Sequence, residues 1–174
     1  MTGTRAVIAA WGVLLLGVTA CSGSDPEPHV AAPSSSAPSS PSTSPAAADL
    51  GPEATVAAWI AAQNEALKSG DTSRIRELSR EPCEACEQFI DPIERVYAEG
   101  GRFETEGWVL NGSHLRANRE GPQVVDAAVT VAGGTTIKSA GAKPVTYESE
   151  KHLLVFKLSR EGRGWVVSFV GFLS

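Results

Sequence analysis

The chain has 174 residues, with 20 acidic and 15 basic side chains and a net charge of −5. No block of Lys or Arg stands out, which argues against nucleic acid as a partner. The cysteine count is three, so one cysteine needs a fate other than pairing within the chain.

Residues 1–21 read as a targeting segment. Arg5 and the amino terminus give a positive start, and Ala6 to Ala20 is an apolar run broken by Gly12, Gly17 and Thr19. A permanent membrane span needs about 20 apolar residues, so this run fits the core of a secretory signal instead. It ends in Val18-Thr19-Ala20-Cys21, which resembles the lipobox of bacterial lipoproteins, where the cysteine is lipidated and becomes the first residue. The alternative is an ordinary signal peptide cut nearby, with Cys21 a bystander. Lipidation would account for the odd cysteine and leave Cys83 and Cys86 as a pair. Two or more acyl chains hold lastingly, at about 0.8 kcal/mol per buried methylene. The expectation is an exported protein, lipid-anchored on the extracellular face of the cell membrane.

From Ser22 to Asp49 there are nine Ser, six Pro and six Ala among 28 residues. Such a segment cannot offset its ordering entropy by apolar burial, so it is predicted to be a disordered tether. Its His29 has no predicted role. Residues 50–174 suit a single domain with one core.

Pro52 opens a helix where its missing N–H costs nothing. Val56, Trp59, Ile60, Gln63 and Leu67 recur at spacings of three and four, placing them on one face. Ser69-Gly70 ends that helix, and Asp71 caps a short second one carrying Ile75 and Leu78. Pro82 marks a third start, and Cys86, Phe89, Ile90, Ile93 and Tyr97 again follow helical spacing. Asp91-Pro92 predicts either a kink there or two short helices. Gly100-Gly101 closes the helical half.

The period then changes to two. Phe103, Thr105, Trp108 and Leu110 predict a first strand with an irregularity at Gly107. Gln123 to Ala132 alternates, with Val125, Ala127, Val129 and Val131 on one side. Val145 to Leu158 reads as one long strand, and Trp165 to Phe172 as the last. Helices first and about four antiparallel strands afterwards imply an α+β domain, its helices on one face of a curved sheet.

This order resembles the NTF2-like, or SnoaL-like, cone folds. More specifically, the residues resemble an actinobacterial lipoprotein family of unknown function, domain-of-unknown-function family 6318. The matching elements are Trp59, Gly70-Asp71, Leu78-Ser79, Cys83-x-x-Cys86, Phe89-Ile90, Ile93, Val96-Tyr97-Ala98 and Gly100-Gly101. They continue through Ser139-Ala-Gly-Ala-Lys-Pro144 and Trp165. The resemblance implies a fold and a location but no chemistry.

Cys83-Glu-Ala-Cys86 is the prominent chemical motif. Two cysteines at a helix start can bridge, and exported proteins meet oxidising conditions. A redox motif would follow a strand in a βαβ setting, and Glu81, Glu84 and Glu87 disfavour a reactive thiolate. Two ligands do not make a zinc site. A structural disulfide is therefore predicted, with no cofactor and no metal. Glu77, Glu81, Glu84, Glu87, Asp91 and Glu94 recur at helical spacing, but interleaved arginines favour a solvated surface over a docking face. Asp126, His152, Tyr97 and Tyr147 are the raw material for an acid–base site in a cavity, though no spacing ties them together. His114 completes the histidines. Asn111-Gly-Ser113 matches a glycosylation acceptor and equally a turn. Two functions fit: a non-enzymatic binding or interaction domain of unstated protein or small-molecule partner, or a cone-fold enzyme or small-molecule binder with a base in an apolar cavity. The first is preferred, and the second requires a desolvated Asp or His.

Overall fold

The computed structural model describes residues 50–116 and 121–173, all within the folding unit Ser42–Ser174. The leader, Cys21 and the tether expected before Leu50 lie outside the described residues.

Helix α1 (Pro52–Ser69) begins with its proline at the first turn and ends where the Gly70 N–H donates to the Ala66 carbonyl at 2.8 Å. Its buried face includes Val56, Trp59, Ile60, Gln63 and Leu67, the set that the spacing predicts. Helix α2 (Ser73–Glu77) is capped one residue later than Asp71, at Thr72. The Asp71 carboxylate accepts from the Ser73 N–H at 2.9 Å instead, bracing the turn from one residue further out.

Helix α3 (Glu84–Ala98) runs through Pro92 without interruption. Of the two expectations at Asp91-Pro92, a kink or two short helices, the second is overturned: one helix continues because the apolar face overrides the local break. Ile90, Ile93 and Val96 must stay in phase on the core, whereas Gln88, whose carbonyl loses its partner to the proline, is exposed to water.

Among the described residues seven strands follow, in two antiparallel sheets. The larger has the order β2 (Trp108–Leu115), β3 (Gln123–Val131), β6 (Glu150–Glu161) and β7 (Gly164–Phe172). The smaller has the order β1 (Arg102–Thr105), β4 (Gly134–Ile137) and β5 (Val145–Tyr147). The sheets do not close into a barrel. The irregularity expected at Gly107 is the break between β1 and β2, which enter different sheets. The long strand expected from Val145 is likewise two, interrupted at Glu148-Ser149. Asn111-Gly112 makes no turn; it sits in a bulge of β2, and Asn111 donates to the Thr130 hydroxyl across the sheet. Bulges occur there and at Lys157/Leu158, where each adds local twist.

The core lies between α1 and α3 and one face of the larger sheet. Trp59, Phe156, Ile75, Leu78, Ile90, Val125, Val129, Leu154 and Leu158 are fully buried in it. A smaller cluster of Ala66, Leu67 and Ile93, with Tyr97 and Phe103 against it, sits toward β1.

Candidate functional site

The stretch Leu78–Ile90 links the helices to the larger sheet. Strand β7 is an edge strand, and an open edge invites pairing with another chain. Here Ser79 forms a parallel bridge to Val167: the Arg80 N–H donates to the Val167 carbonyl and the Val167 N–H to the Leu78 carbonyl, both at 2.8 Å. The Ser79 hydroxyl accepts from the Trp59 indole N–H at 2.9 Å and donates to the Ile75 carbonyl. A single serine thus joins α1, α2 and β7.

Cys83 and Cys86 stand at disulfide distance, Sγ–Sγ 2.04 Å, and both are buried. Cys83 occupies the N-cap of α3, and its sulfur accepts from the Cys86 N–H. The crosslink faces Val167 and the core rather than solvent. Burial and the surrounding carboxylates both oppose thiolate chemistry, so the geometry suits a staple. Replacing both cysteines by alanine should lower stability by about 2 kcal/mol, the small value a short loop gives, and leave the fold intact. The wild type should show no thiol to Ellman's reagent until it is reduced in denaturant. Insulin-reducing activity lost in the double variant would show a redox site instead.

The acidic face of α3 is occupied. Arg76 of α2 reaches Glu87 and Glu94 at 2.9 Å each, with Asp91 at 3.8 Å. The hydrogen bond from Arg76, aided by the Thr72 hydroxyl, holds the Glu94 carboxyl below its usual pKa range. A carboxyl so depressed stabilises the fold above its unfolded pKa, and that stabilisation is lost as pH falls through the folded value. Arg76→Met should therefore cost stability at pH 7, leaving three carboxylates facing one another, while the gap to wild type narrows below about pH 4. Urea denaturation across pH 3–7 measures this. A gap independent of pH would mean that Arg76 acts by packing alone.

The four cavity candidates are not assembled. Asp126 accepts two hydrogen bonds from Arg116, at 2.8 and 2.6 Å, and this pairing lowers its pKa. It alternates with the buried Val125 and Ala127, on the face of β3 turned away from the helices, with His114 opposite it in register. His152 lies near the start of β6, half-buried against Phe172, its Nε2 3.2 Å from Glu150. The Tyr97 hydroxyl donates to the Leu67 carbonyl at 2.8 Å and serves the helical packing. Tyr147 lines a cleft toward β1 with Leu67 and Phe103.

The interior that an acid–base site would need is filled by rings. Trp59 packs edge-on against Phe89 and Phe156, with centroids at 6.0 and 5.6 Å, and tilted against Trp108 at 6.3 Å. Trp165 packs against the same core from its edge, half-buried, with the Arg160 guanidinium 4.6 Å from its ring. Among the described residues no group of three or more His, Cys, Asp or Glu could hold a metal, and no helix is long and apolar enough to cross a membrane.

Sequence reasoning named Ser79 and Arg76 without a bonding role and did not single out Asn64; each joins separate elements. Asn64 donates to the Trp108 carbonyl at 2.8 Å and accepts from its N–H at 2.7 Å, clamping α1 to β2 as another strand would. A polar pair, Gln63-Asn64, within an otherwise apolar helical stripe was the available signal.

These features define an α+β domain whose helices are stapled and ring-packed onto one sheet, with its candidate catalytic groups dispersed. The chain belongs to the family of unknown function DUF6318, whose model matches residues 31–168. No curated protein matches it. Among solved structures 16 chains match. The intermembrane space region of the chloroplast protein ARC6 is 12% identical, with a TM-score of 0.53 over 70% of this chain and 93% of that one. A chain from Xanthomonas campestris, described as a calcium/calmodulin-dependent protein kinase II association domain, is 16% identical over 71% of this chain and 87% of its own, with a TM-score of 0.42. The likeness to the ARC6 region is one of fold.

Proposed function

We propose that this chain is an exported actinobacterial cell-envelope lipoprotein, anchored through a lipid on Cys21. In this reading its folded part is an NTF2-like cone acting as a non-enzymatic binding or interaction domain. The observation that carries the reading is the pairing of Cys83 with Cys86. It leaves Cys21 as the one cysteine without a partner in the chain, at the end of an apolar run and after small residues. Helix-first order and helices on one face of the larger sheet favour the cone assignment.

The ring-packed interior favours binding over catalysis. An enzymatic base needs a desolvated carboxylate or imidazole within reach of a substrate. Asp126 is ion-paired away from the helices, and His152 sits at the sheet's end beside a glutamate.

Fractionation of cells expressing Cys21→Ala tests the anchor. The wild type should sediment with membranes, and the variant should be released or retained as an unprocessed precursor. Sedimentation of a processed variant at the wild-type level would exclude a lipid on Cys21.

A further inference from the structure

We infer that the face of the larger sheet turned away from the helices docks on an anionic lipid surface, laying the domain down on the membrane that holds it. This rests on the reading of Cys21 as an anchor, which puts a bilayer within reach.

Alternation along the strands defines the face. Leu154, Phe156 and Leu158 of β6 are buried in the core, so Lys151, Leu153, Val155 and Lys157 project from the opposite side. The register sets these four against Thr130, Ala128, Asp126 and Val124 of β3. The Lys157 Nζ lies 5.0 Å from the centre of the Phe169 ring, which places that part of β7 on the same face. On β2, Val109 points outward between the core-side Trp108 and Leu110. The face is open to solvent: Val109 and Leu153 are 52% and 46% exposed, and Leu173, whose N–H donates to the Leu153 carbonyl, is 41% exposed.

Charge selects the occupant. Asp126, the carboxylate in the middle of the face, is held by Arg116 at 2.6 Å. Glu161, at the end of β6, instead lines a cleft with Arg76 and Arg80. Among the described residues Lys151 and Lys157 form no ion pair and leave the face positive. The acidic row of α3, Glu84, Glu87, Asp91 and Glu94, lies on the helical side. Fields are screened beyond about 8 Å at physiological salt, so the local face matters more than the net charge. Such a domain turns its bare sheet toward a negative surface. There the apolar side chains enter the headgroup boundary while the lysine stems keep their ammonium groups among the phosphates. A second copy fits less well: two-fold pairing through this face would bring the lysines of both copies onto one patch, with Asp126 already engaged.

The tether joins the domain beside this sheet. Glu53, in the first turn of α1, accepts from the Ser113 hydroxyl of β2 at 3.3 Å. As a coil, the 28 residues from Ser22 to Asp49 span about 30 Å, comparable to the width of the domain itself. Contacts too weak to hold a free protein therefore suffice for a tethered one.

The test uses the chain from Ser22 to Ser174, which holds the whole folding unit, tied by an amino-terminal polyhistidine tag to vesicles bearing a nickel-chelating lipid. That attachment replaces Cys21, so failure here is distinguishable from failure of the anchor. Phosphatidylcholine vesicles are compared with vesicles that also contain phosphatidylglycerol, and lysine acetylation is mapped by mass spectrometry. Phosphatidylglycerol should slow acetylation of Lys151 and Lys157 about fivefold and leave Lys68, on α1, unchanged. Leu153→Glu, at an exposed position, should erase that protection while near-ultraviolet dichroism stays the same. Equal labelling on the two kinds of vesicle, or protection that survives in Leu153→Glu, overturns the inference. Protection without vesicles that rises with protein concentration also overturns it, and would mark a second copy of the chain as the occupant.

Discussion

Trp59→Ala should lower the stability of the domain by about 3–5 kcal/mol, the range for deleting a buried tryptophan. The side chain is fully buried, touches three aromatic rings and spends its one polar atom on Ser79. Its loss opens a cavity and removes the link from α1 to the segment that covers the β7 edge. Total stabilities of domains run from about 5 to 15 kcal/mol, so this one change brings the protein near its unfolding threshold. Trp59→Phe, which keeps a ring but strands the Ser79 hydroxyl, should cost about 1–3 kcal/mol. Chemical denaturation of the two variants measures the ordering. Equal losses would mean that the hydrogen bond, not the packing, dominates.

Gly101→Ala should cost about 2–3 kcal/mol. A Cβ at this position would stand 2.1 Å from the Ile137 carbonyl oxygen and 2.6 Å from the Lys138 carbonyl carbon. Both are backbone atoms, so no side-chain rotation relieves the clash, and β1 and β4 must part where they pair. Gly112→Ala is the control: nothing lies within 4 Å of the position its methyl would take, and its effect should stay within about 0.5 kcal/mol. Similar melting temperatures for the two variants would show that the close approach at Gly101 relaxes at little cost.

Much of this architecture was legible in the residues. The α1 stripe and the caps gave the first helix, and the Val125/Ala127/Val129 alternation gave the central strand with its buried side. The Cys83/Cys86 spacing at a helix start anticipated the crosslink. What was not legible depended on contacts distant in sequence. Pro92 is a strong local breaker, yet the continuous burial of Ile90, Ile93 and Val96 overrides it. The smaller sheet escaped notice because β4 and β5 are short and pair across loops, so neither carries a period of its own. The acidic residues of α3 read as a solvated surface interleaved with arginines, and they are partly exposed; that three of them share Arg76 depends on the placement of a different helix. Gln63 read as part of an apolar stripe, and only the structure shows that its acceptor is left without a partner.

The most direct test of the proposed lipoprotein is the intact mass of the protein extracted from the membrane fraction. The reading predicts a chain that begins at Cys21, lacks residues 1–20, carries acyl chains on that cysteine, and retains the Cys83–Cys86 crosslink. A mature chain with an unmodified Cys21, or one cut at another residue, would contradict it.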